Sequence, residues 1–350
     1  MLKDRLNKRI HLSNELVLKL AKIDEAKGRW IGALNLNPKI LHQLKKTVII
    51  TSSASSTRIE GVQMTDLEVE NFLRRLKQKT PRNRDEEEVA GYADLLGRIF
   101  DNYKTLKVTE SQILQFHKIL LSFSQKDKGH CGKYKTVDNT VAIMRQGKIQ
   151  KILFKPTPPW LTKKEMDDLF TWFKKREDNK DMHPLVVIAN FIFEFLAIHP
   201  FTDGNGRLSR ALTNLMMLQA DYSFVPYVSL EEIIESRQAE YYLALRNTQK
   251  YYKTDEENIE PWLNFFVDII LEQLAKALQL LEGGNNEQLM SDKQRQIFNL
   301  FKGNQELKVS QIQKKTKIAM PTVKQAVSRL VKLNLLQRLG QGSAIRYRLK

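Results

Sequence analysis

The chain has 350 residues, 42% hydrophobic and 28% charged, the balance of an ordinary globular protein of two or three domains. Its single cysteine, Cys131, excludes an intramolecular disulfide and a cysteine-rich zinc site, which fits a reducing cytoplasm. The formal charge of +17 is uneven, because residues 291–350 hold 14 Lys or Arg against 2 acids, a net of +12. That tail reads as a polyanion-binding module or as a solvated basic tail.

The start, MLKDRLNKRIHLSNEL, lacks the uninterrupted apolar core of a signal peptide. No segment approaches the roughly 20 apolar residues that a membrane span needs. The expectation is a soluble cytoplasmic chain with no membrane partner.

Apolar spacing predicts helices over Glu15–Ala26, Lys39–Thr51, Asp66–Gln78, Glu86–Asn102 and Glu110–Ser122. Residues 134–160 interrupt this run with β-branched residues on both sides of Gln146-Gly147, which predicts a hairpin. Pro156, Pro158 and Pro159 end it, and Thr162 is the expected cap of a helix over Lys163–Glu177. Further helices are predicted over Leu185–Ile198, Leu208–Ala220, Glu231–Thr248 and Pro261–Leu281, and no fixed-period repeat is present. Gly283-Gly284-Asn285-Asn286 reads as a linker before the basic tail.

In the tail, a helix over about 292–302 precedes VSQIQKKT, the turn KIA and MPTVKQAVSRLVKL, a helix-turn-helix pattern. Two short strands around Gly340-Gln341-Gly342 suggest a wing. Thr322, Lys324, Gln325, Ser328 and Arg329 lie along the second helix, where they suit DNA bases and phosphates or form a solvated polar face. Modules of this kind also mediate protein contacts.

The chemistry concentrates in HPFTDGNGRLSR, residues 199–210, directly after the apolar run LVVIANFIFEFLAI. A helix that is apolar all round is buried, and Pro200 disfavours helical geometry for the residue before it, so His199 is expected at the rim of a rigid element. TDGNG then forms a tight loop entering a second helix, whose unpaired N–H groups and positive dipole end make an anion site. Gly204 and Gly206 permit close approach of a phosphate to the backbone. Arg207 and Arg210, spaced i,i+3 at this positive end, repel one another and the dipole unless an anion meets them. Asp203 supplies hard carboxylate oxygen suited to Mg²⁺ bridging phosphates, and Asn205 can donate to a phosphate or hold the loop. A neutral His199 can take the proton of an attacking hydroxyl, so these residues amount to a nucleotidyl-transfer site. Neither a GxxxxGK[ST] loop nor a GxGxxG after a predicted strand is present.

HPFTDGNGRLSR resembles the HxFx[DE]GN[GK]RxxR signature of Fic-domain proteins at every specified position. The similarity extends through LQFHKILL, GHCGKYKT, the hairpin and ESRQAEYYLAL, roughly residues 106–255. It implies a Fic-type helical core with a small β-hairpin flap, which with the winged-helix reading of the tail makes the expected fold mainly α. Together with the linker and tail readings, the expected domains are a helical region over 1–105, the core over 106–255, a helix and linker over 256–290 and the winged helix over 291–350.

The resemblance implies transfer of AMP from ATP to a protein hydroxyl with release of pyrophosphate. His199 would be the general base and Asp203 the Mg²⁺ ligand. Gly204, Asn205 and Gly206 would cradle the α- and β-phosphates, and Arg207 and Arg210 the outer phosphates. The hairpin edge Val141, Ala142, Ile143 and Met144 looks like the flap that holds a target segment as an added strand. Tyr241 and Gln249 stand where family members line the nucleoside pocket, with a helical core role open for Tyr241. His117 falls at a familiar position but on an apolar face, and is read as core. A homodimer is the oligomeric state the resemblance suggests.

Upstream, Ser56 to Gly61 matches the family's inhibitory pattern [ST]xxxE[GN]. Glu60, just before the helix-stopping Gly61, is expected at the negative end of a helix dipole, where a cation must meet it. Arg210 is the expected cation, and pairing with Glu60 would remove it from the γ-phosphate. The alternatives are removal of AMP with Glu60 positioning water, transfer of another phosphate-linked group, and a nucleotide-sensing DNA-binding regulator.

Overall fold

A computed structural model describes residues 2–32, 38–76, 80–145, 148–282, 290–303, 306–332, 335–340, 342 and 345–350. The Gln146-Gly147 turn and the linker at 283–286 lie outside the described residues. The chain forms two compact units, Met1–Ala277 and Leu278–Lys350. Among the described residues no helix is long and apolar enough to cross a membrane.

The first unit is built around α8, Pro184–Ile198. Pro184 presets the first turn, the His183 ring accepts from the Leu185 N–H, and every residue from Leu185 to Ile198 is buried. Phe191, Phe193 and Phe195 are fully enclosed, and burying such side chains contributes about 1.5–3 kcal/mol each. α8 packs between α7, Pro159–Asn179, and α9, Asn205–Gln219. A short α1, Leu2–Lys8, which apolar spacing did not single out, lies on α7. Just beyond it the buried Arg9 pairs with Glu194 of α8 and with Glu257. A fully buried carboxylate of this kind persists only with its cations in place.

Long helices flank this centre. α2 is Asn14–Gly32, α3 is Pro38–Ile59, α4 is Asp66–Leu76, α5 is Arg84–Asn102 and α6 is Glu110–Leu120. α3 packs on α4, α5 and α9, and α5 packs on α6 and α9. The α5–α6 crossing is close, because a Cβ on Gly91 would lie 1.9 Å from the Leu120 carbonyl oxygen. Between α6 and α7, β1 (Val141–Arg145) pairs antiparallel with β2 (Lys148–Phe154), with register shifts along the ladder. After α9 come α10, Leu230–Ser236, α11, Gln238–Gln249, and α12, Glu260–Glu282.

Several boundaries differ from the periodicity reading. The helix expected to end at Thr51 continues to Ile59, because Ser52, Ser53, Ala54, Ser55 and Ser56 are all buried against neighbouring helices, which overrides their weak propensity. The helix expected over 231–248 breaks at Arg237, whose backbone (φ −114°, ψ 30°) leaves helical geometry. Thr162 is not a cap: α7 begins at Pro159, and the Thr162 hydroxyl donates to the Pro158 carbonyl.

The second unit holds α13, Asp292–Asn299, α14, Val309–Thr316, α15, Met320–Lys332, and the antiparallel pair β3, Leu336–Leu339, and β4, Arg346–Leu349. Lys317 in left-handed geometry turns the chain between α14 and α15. Ile297, Phe301, Ile312, Val323, Val327 and Leu330 form its core. Thr322, Gln325 and Arg329 are half-buried and Lys324 and Ser328 exposed, so α15 presents them on its polar side.

Candidate active site

The site lies where α8 ends and α9 begins. His199 closes α8 in left-handed backbone geometry (φ 52°, ψ 61°). Its ring Nδ1 lies 3.3 Å from the Leu196 carbonyl oxygen, which can only accept, so Nδ1 carries the hydrogen and Nε2 keeps its lone pair. Burial, opposed by that backbone contact, lowers the imidazole pKa to about 4, so the ring is neutral at pH 7.

The loop then turns through Gly204, whose φ of +81° is the left-handed geometry that glycine permits. The Asn205 side chain ties the loop to itself, accepting from Phe201 N–H at 3.0 Å and donating to Phe201 O at 2.8 Å. Asn205 is therefore spent on holding the loop. Behind the loop, the fully buried His117 stacks on Phe201 with 3.9 Å between ring centroids. Its Nδ1 accepts from Gly132 N–H at 2.8 Å, so Nε2 carries the hydrogen and donates to Asp203 O at 3.1 Å. Burial lowers its pKa to about 4, and His117 acts as a neutral prop of the loop.

Two buried arginines follow on α9. Arg207 donates to Asp203 at 3.0 Å and faces Glu88 of α5 at 3.1 Å. Arg84, one turn before Glu88, donates to it at 2.7 Å and reaches within 3.6 Å of Asp203, which also accepts from Gly204 N–H at 2.7 Å. These cations and the Gly204 N–H hold the Asp203 carboxyl below the usual range against its partial burial. Arg210 is clamped from α3: the Ser56 hydroxyl and carbonyl accept from it at 2.8 Å each, and Glu60 accepts at 2.8 Å. Glu60 follows the last turn of α3, and Gly61 leaves the helix at φ +106°. A Cβ on Gly206 would lie 2.2 Å from a Glu60 oxygen, so glycine there admits the carboxylate against the start of α9.

The structure thus brings His199, Asp203, Gly204, Asn205, Gly206, Arg207, Arg210, Ser56, Glu60 and Gly61 together. Tyr241 is buried in α11 beside Arg210 and among Trp262 and Phe265, so it is part of the core as well as a neighbour of the site. Gln249 ends α11, about two turns after Tyr241. Val141, Ala142, Ile143 and Met144 lie on β1, in a sheet that has two strands among the described residues. Arg84, Glu88, Lys135 and Asn139 were not singled out from the sequence. Arg84 and Glu88 carry only the signal of an i,i+4 ion pair, the same signal as any solvated helix face.

What can hold an anion is specific. Nε of Arg207 and Nη1 of Arg210 are buried without a hydrogen-bond partner, at the N-terminal end of α9. Buried donors of that kind are costly unless a ligand completes them. The Asp203 carboxylate is about one-third exposed and suits a hard cation that draws its other oxygens from phosphate and water. Among the described residues no group of three or more His, Cys, Asp or Glu could hold a metal alone.

Residues 107–217 match the model of the Fic/DOC family. A protein adenylyltransferase fic-1 of Caenorhabditis briggsae is 32% identical over 139 residues, 40% of this chain and 24% of that one. Protein adenylyltransferase Fic of Drosophila grimshawi is 24% identical over 252 residues, 71% of this chain and 47% of that one. The chain therefore spans at most about half the length of these relatives. Among solved structures, a Fic family protein from Desulfovibrio desulfuricans shares the fold at TM-score 0.63 and 21% identity, over 98% of both chains. A Fic domain containing signaling protein from Bacteroides thetaiotaomicron gives TM-score 0.61 at 22% identity, over 75% of this chain and 98% of that one. With the signature loop, the α8–α9 junction and the hairpin on one helical scaffold, this chain carries a domain of the Fic/DOC family over residues 107–217.

Proposed function

We propose that the chain transfers AMP from ATP to a Ser, Thr or Tyr hydroxyl of a target protein, and of itself, in the cytoplasm, and that Glu60 restrains the reaction. The observation that carries this reading is the pair of buried, incompletely partnered arginines at the positive end of α9 beside a neutral His199. His199 Nε2 takes the proton of the target hydroxyl, whose oxygen attacks the α-phosphorus. The bond from that phosphorus to the bridging oxygen breaks, and pyrophosphate leaves. The negative charge of a bound polyphosphate raises the imidazole pKa toward neutrality, which improves the base once substrate is seated. Gly204 to Gly206 receive the α- and β-phosphates, and Arg207 and Arg210 the outer ones. Asp203 would hold Mg²⁺, which when bound neutralises phosphate charge.

The outer edge of β1 offers main-chain groups to an extended target segment, so Val141–Met144 serve as the docking strand. Tyr241 borders the nucleoside end. Ser56 and Glu60 occupy Arg210, so ATP binding with its γ-phosphate on Arg210 requires the Glu60 contact to open. We assign residues 291–350 as a winged helix-turn-helix unit that binds DNA through Thr322, Lys324, Gln325, Ser328 and Arg329, supported by the net charge of +12 there. Replacing Lys324 and Arg329 with alanine weakens DNA binding and flattens its salt dependence.

Incubating Glu60→Gly with ATP and cell extract, followed by mass spectrometry, reports the group and target together. AMP adducts rise in Glu60→Gly and vanish in His199→Ala. Equal labelling of all three forms defeats the scheme, and an adduct of another mass identifies a different transferred group.

A further inference from the structure

The backbone from Ile198 to Phe201 has to abandon the helix and enter left-handed geometry at His199 while staying inside the protein. Each carbonyl oxygen along it needs a donor, and one short segment supplies a donor to every one of them, with Asn205 adding a second at Phe201 O. Ile198 O accepts from Lys135 Nζ at 3.1 Å, and His199 O accepts from Asn139 Nδ2 at 3.4 Å. Pro200 O accepts from the Lys135 backbone N–H at 2.9 Å, and Phe201 O from Asn139 Nδ2 at 3.0 Å. Lys135 Nζ also donates to Asn139 Oδ1 at 2.7 Å, which turns the amide so that its nitrogen faces the carbonyls.

Lys135 is only 3% exposed, and its ammonium hydrogen-bonds to uncharged oxygens, with the Asp138 and Glu165 carboxylates favouring its charge through space and Lys253 opposing it. Burying a cation on neutral partners is costly. Its position at the C-terminal end of α8 offsets part of that, since this is the negative end of the helix dipole.

We propose that Lys135 and Asn139 are positioning residues of the transfer site, a clamp on residues 198–201 that holds the His199 imidazole with Nδ1–H on Leu196 O and Nε2 presented outward. This rests on His199 being the base of the proposed transfer. The ammonium also acts on the ring through space: after burial and the Leu196 contact, Lys135 opposes protonation of His199, while Glu60 from α3 and Asp203 from the loop favour it. The clamp therefore sets both where the lone pair points and that it stays free.

The test uses the full chain carrying Glu60→Gly, with Lys135→Met, Lys135→Arg and Asn139→Ala added singly. Lys135→Met lowers kcat on the order of 10- to 100-fold, the scale for misplacing a reacting group, with the nucleotide Kd held within about threefold. Lys135→Arg recovers most of that loss, and Asn139→Ala, at a half-buried position, loses kcat without losing the fold. In ¹⁵N-histidine NMR, Lys135→Met raises the pKa of His199, and Asn139→Ala perturbs its Nδ1–H signal. Unchanged kcat with unchanged His199 resonances overturns the clamp, as does a parallel loss of kcat and nucleotide affinity. If the Glu60→Gly parent transfers nothing, the transfer reading fails by itself, and the NMR titration alone decides the clamp. A raised His199 pKa in Lys135→Met then supports it and an unmoved one overturns it.

Discussion

Arg207 and Arg210 stand one turn apart on α9, both buried, yet their partners differ in kind. Arg207 is met by its own loop, through Asp203, and by Glu88, whose neighbour Arg84 also leans on Asp203. Acids and bases alternate there, and each member keeps a second partner if one contact opens. The one carboxylate on Arg210 among the described residues, Glu60, and the Ser56 hydroxyl and carbonyl come from α3 and its end, 150 and 154 residues away in sequence, with the Tyr241 ring of α11 alongside. The first cluster belongs to the site, whereas the second is a separate element laid onto it. In the proposed scheme, restraint would be relieved at Arg210 without dismantling the loop.

The largest expected effect follows from removing that overlay. A charge-assisted hydrogen bond contributes about 1.5–3 kcal/mol, so Glu60→Gly should raise AMP transfer on the order of 10- to 100-fold. A rise of the same size in Glu88→Gln would erase the distinction between the two arginines. Acid separates the regions in a different way. His117 and His199, on the loop side, have pKa values lowered to about 4 from 6.5, so the unfolded chain binds more protons between those values. Their contribution to stability is complete above pH 6.5 and is lost as the pH falls toward 4, at up to about 1.4 kcal/mol per pH unit for each ring. Melting temperature measured across that range should show the slope, and His117→Gln should reduce it. An unaltered slope in that variant would mean other groups carry the acid response.

A smaller effect is expected at Arg58, which fastens the end of α3. It donates to both oxygens of Glu235, at 2.5 and 2.8 Å, and to Asp66 at 2.9 Å. Removing it frees the turn that carries Glu60 without touching Arg210. Arg58→Ala should raise transfer by roughly 3- to 10-fold, less than loss of the pair itself. The gain should disappear in a Glu60→Gly background, because the two changes act through one contact. Additive gains would show that Arg58 acts elsewhere.

How much of this was legible in the sequence divides along the same line. The loop side is local: an apolar helix stopped before Pro200, glycines at the turn and arginines at i,i+3 all carry their chemistry within twelve residues. Glu60 was legible through the resemblance of Ser56–Gly61 to the family's inhibitory pattern, with the helix-dipole argument asking for a cation beside it, although its distance from Arg210 is invisible to periodicity. The buried serines of α3 were not read as helix beyond Thr51, since their propensity is weak and tertiary packing decides. Glu88 and Arg84 look like any exposed i,i+4 pair. Lys135 and Asn139 carry no pattern, because their work is to donate to carbonyls that only the folded loop leaves unpaired.

The smallest predicted effect tests the claim that the Arg207 cluster is built in. Glu88 holds Arg207 at 3.1 Å and Arg84 at 2.7 Å, so Glu88→Gln removes one negative charge from a ring that retains Asp203. Glutamine keeps the shape and one acceptor, and partly exposed pairs of this type contribute about 0.2–1 kcal/mol. An anionic ligand then meets slightly more positive charge, and nucleotide Kd measured by calorimetry should fall about two- to threefold, scarcely altering kcat. Asp203 can take up Arg84 and Arg207 because it already touches both. Arg210 has no such spare carboxylate: when Glu60 leaves, Ser56 remains, but the charge is uncompensated until a phosphate arrives. A Kd unchanged in Glu88→Gln but lowered in Glu60→Gln would sharpen the contrast, leaving α3 as the place where ligand and protein compete.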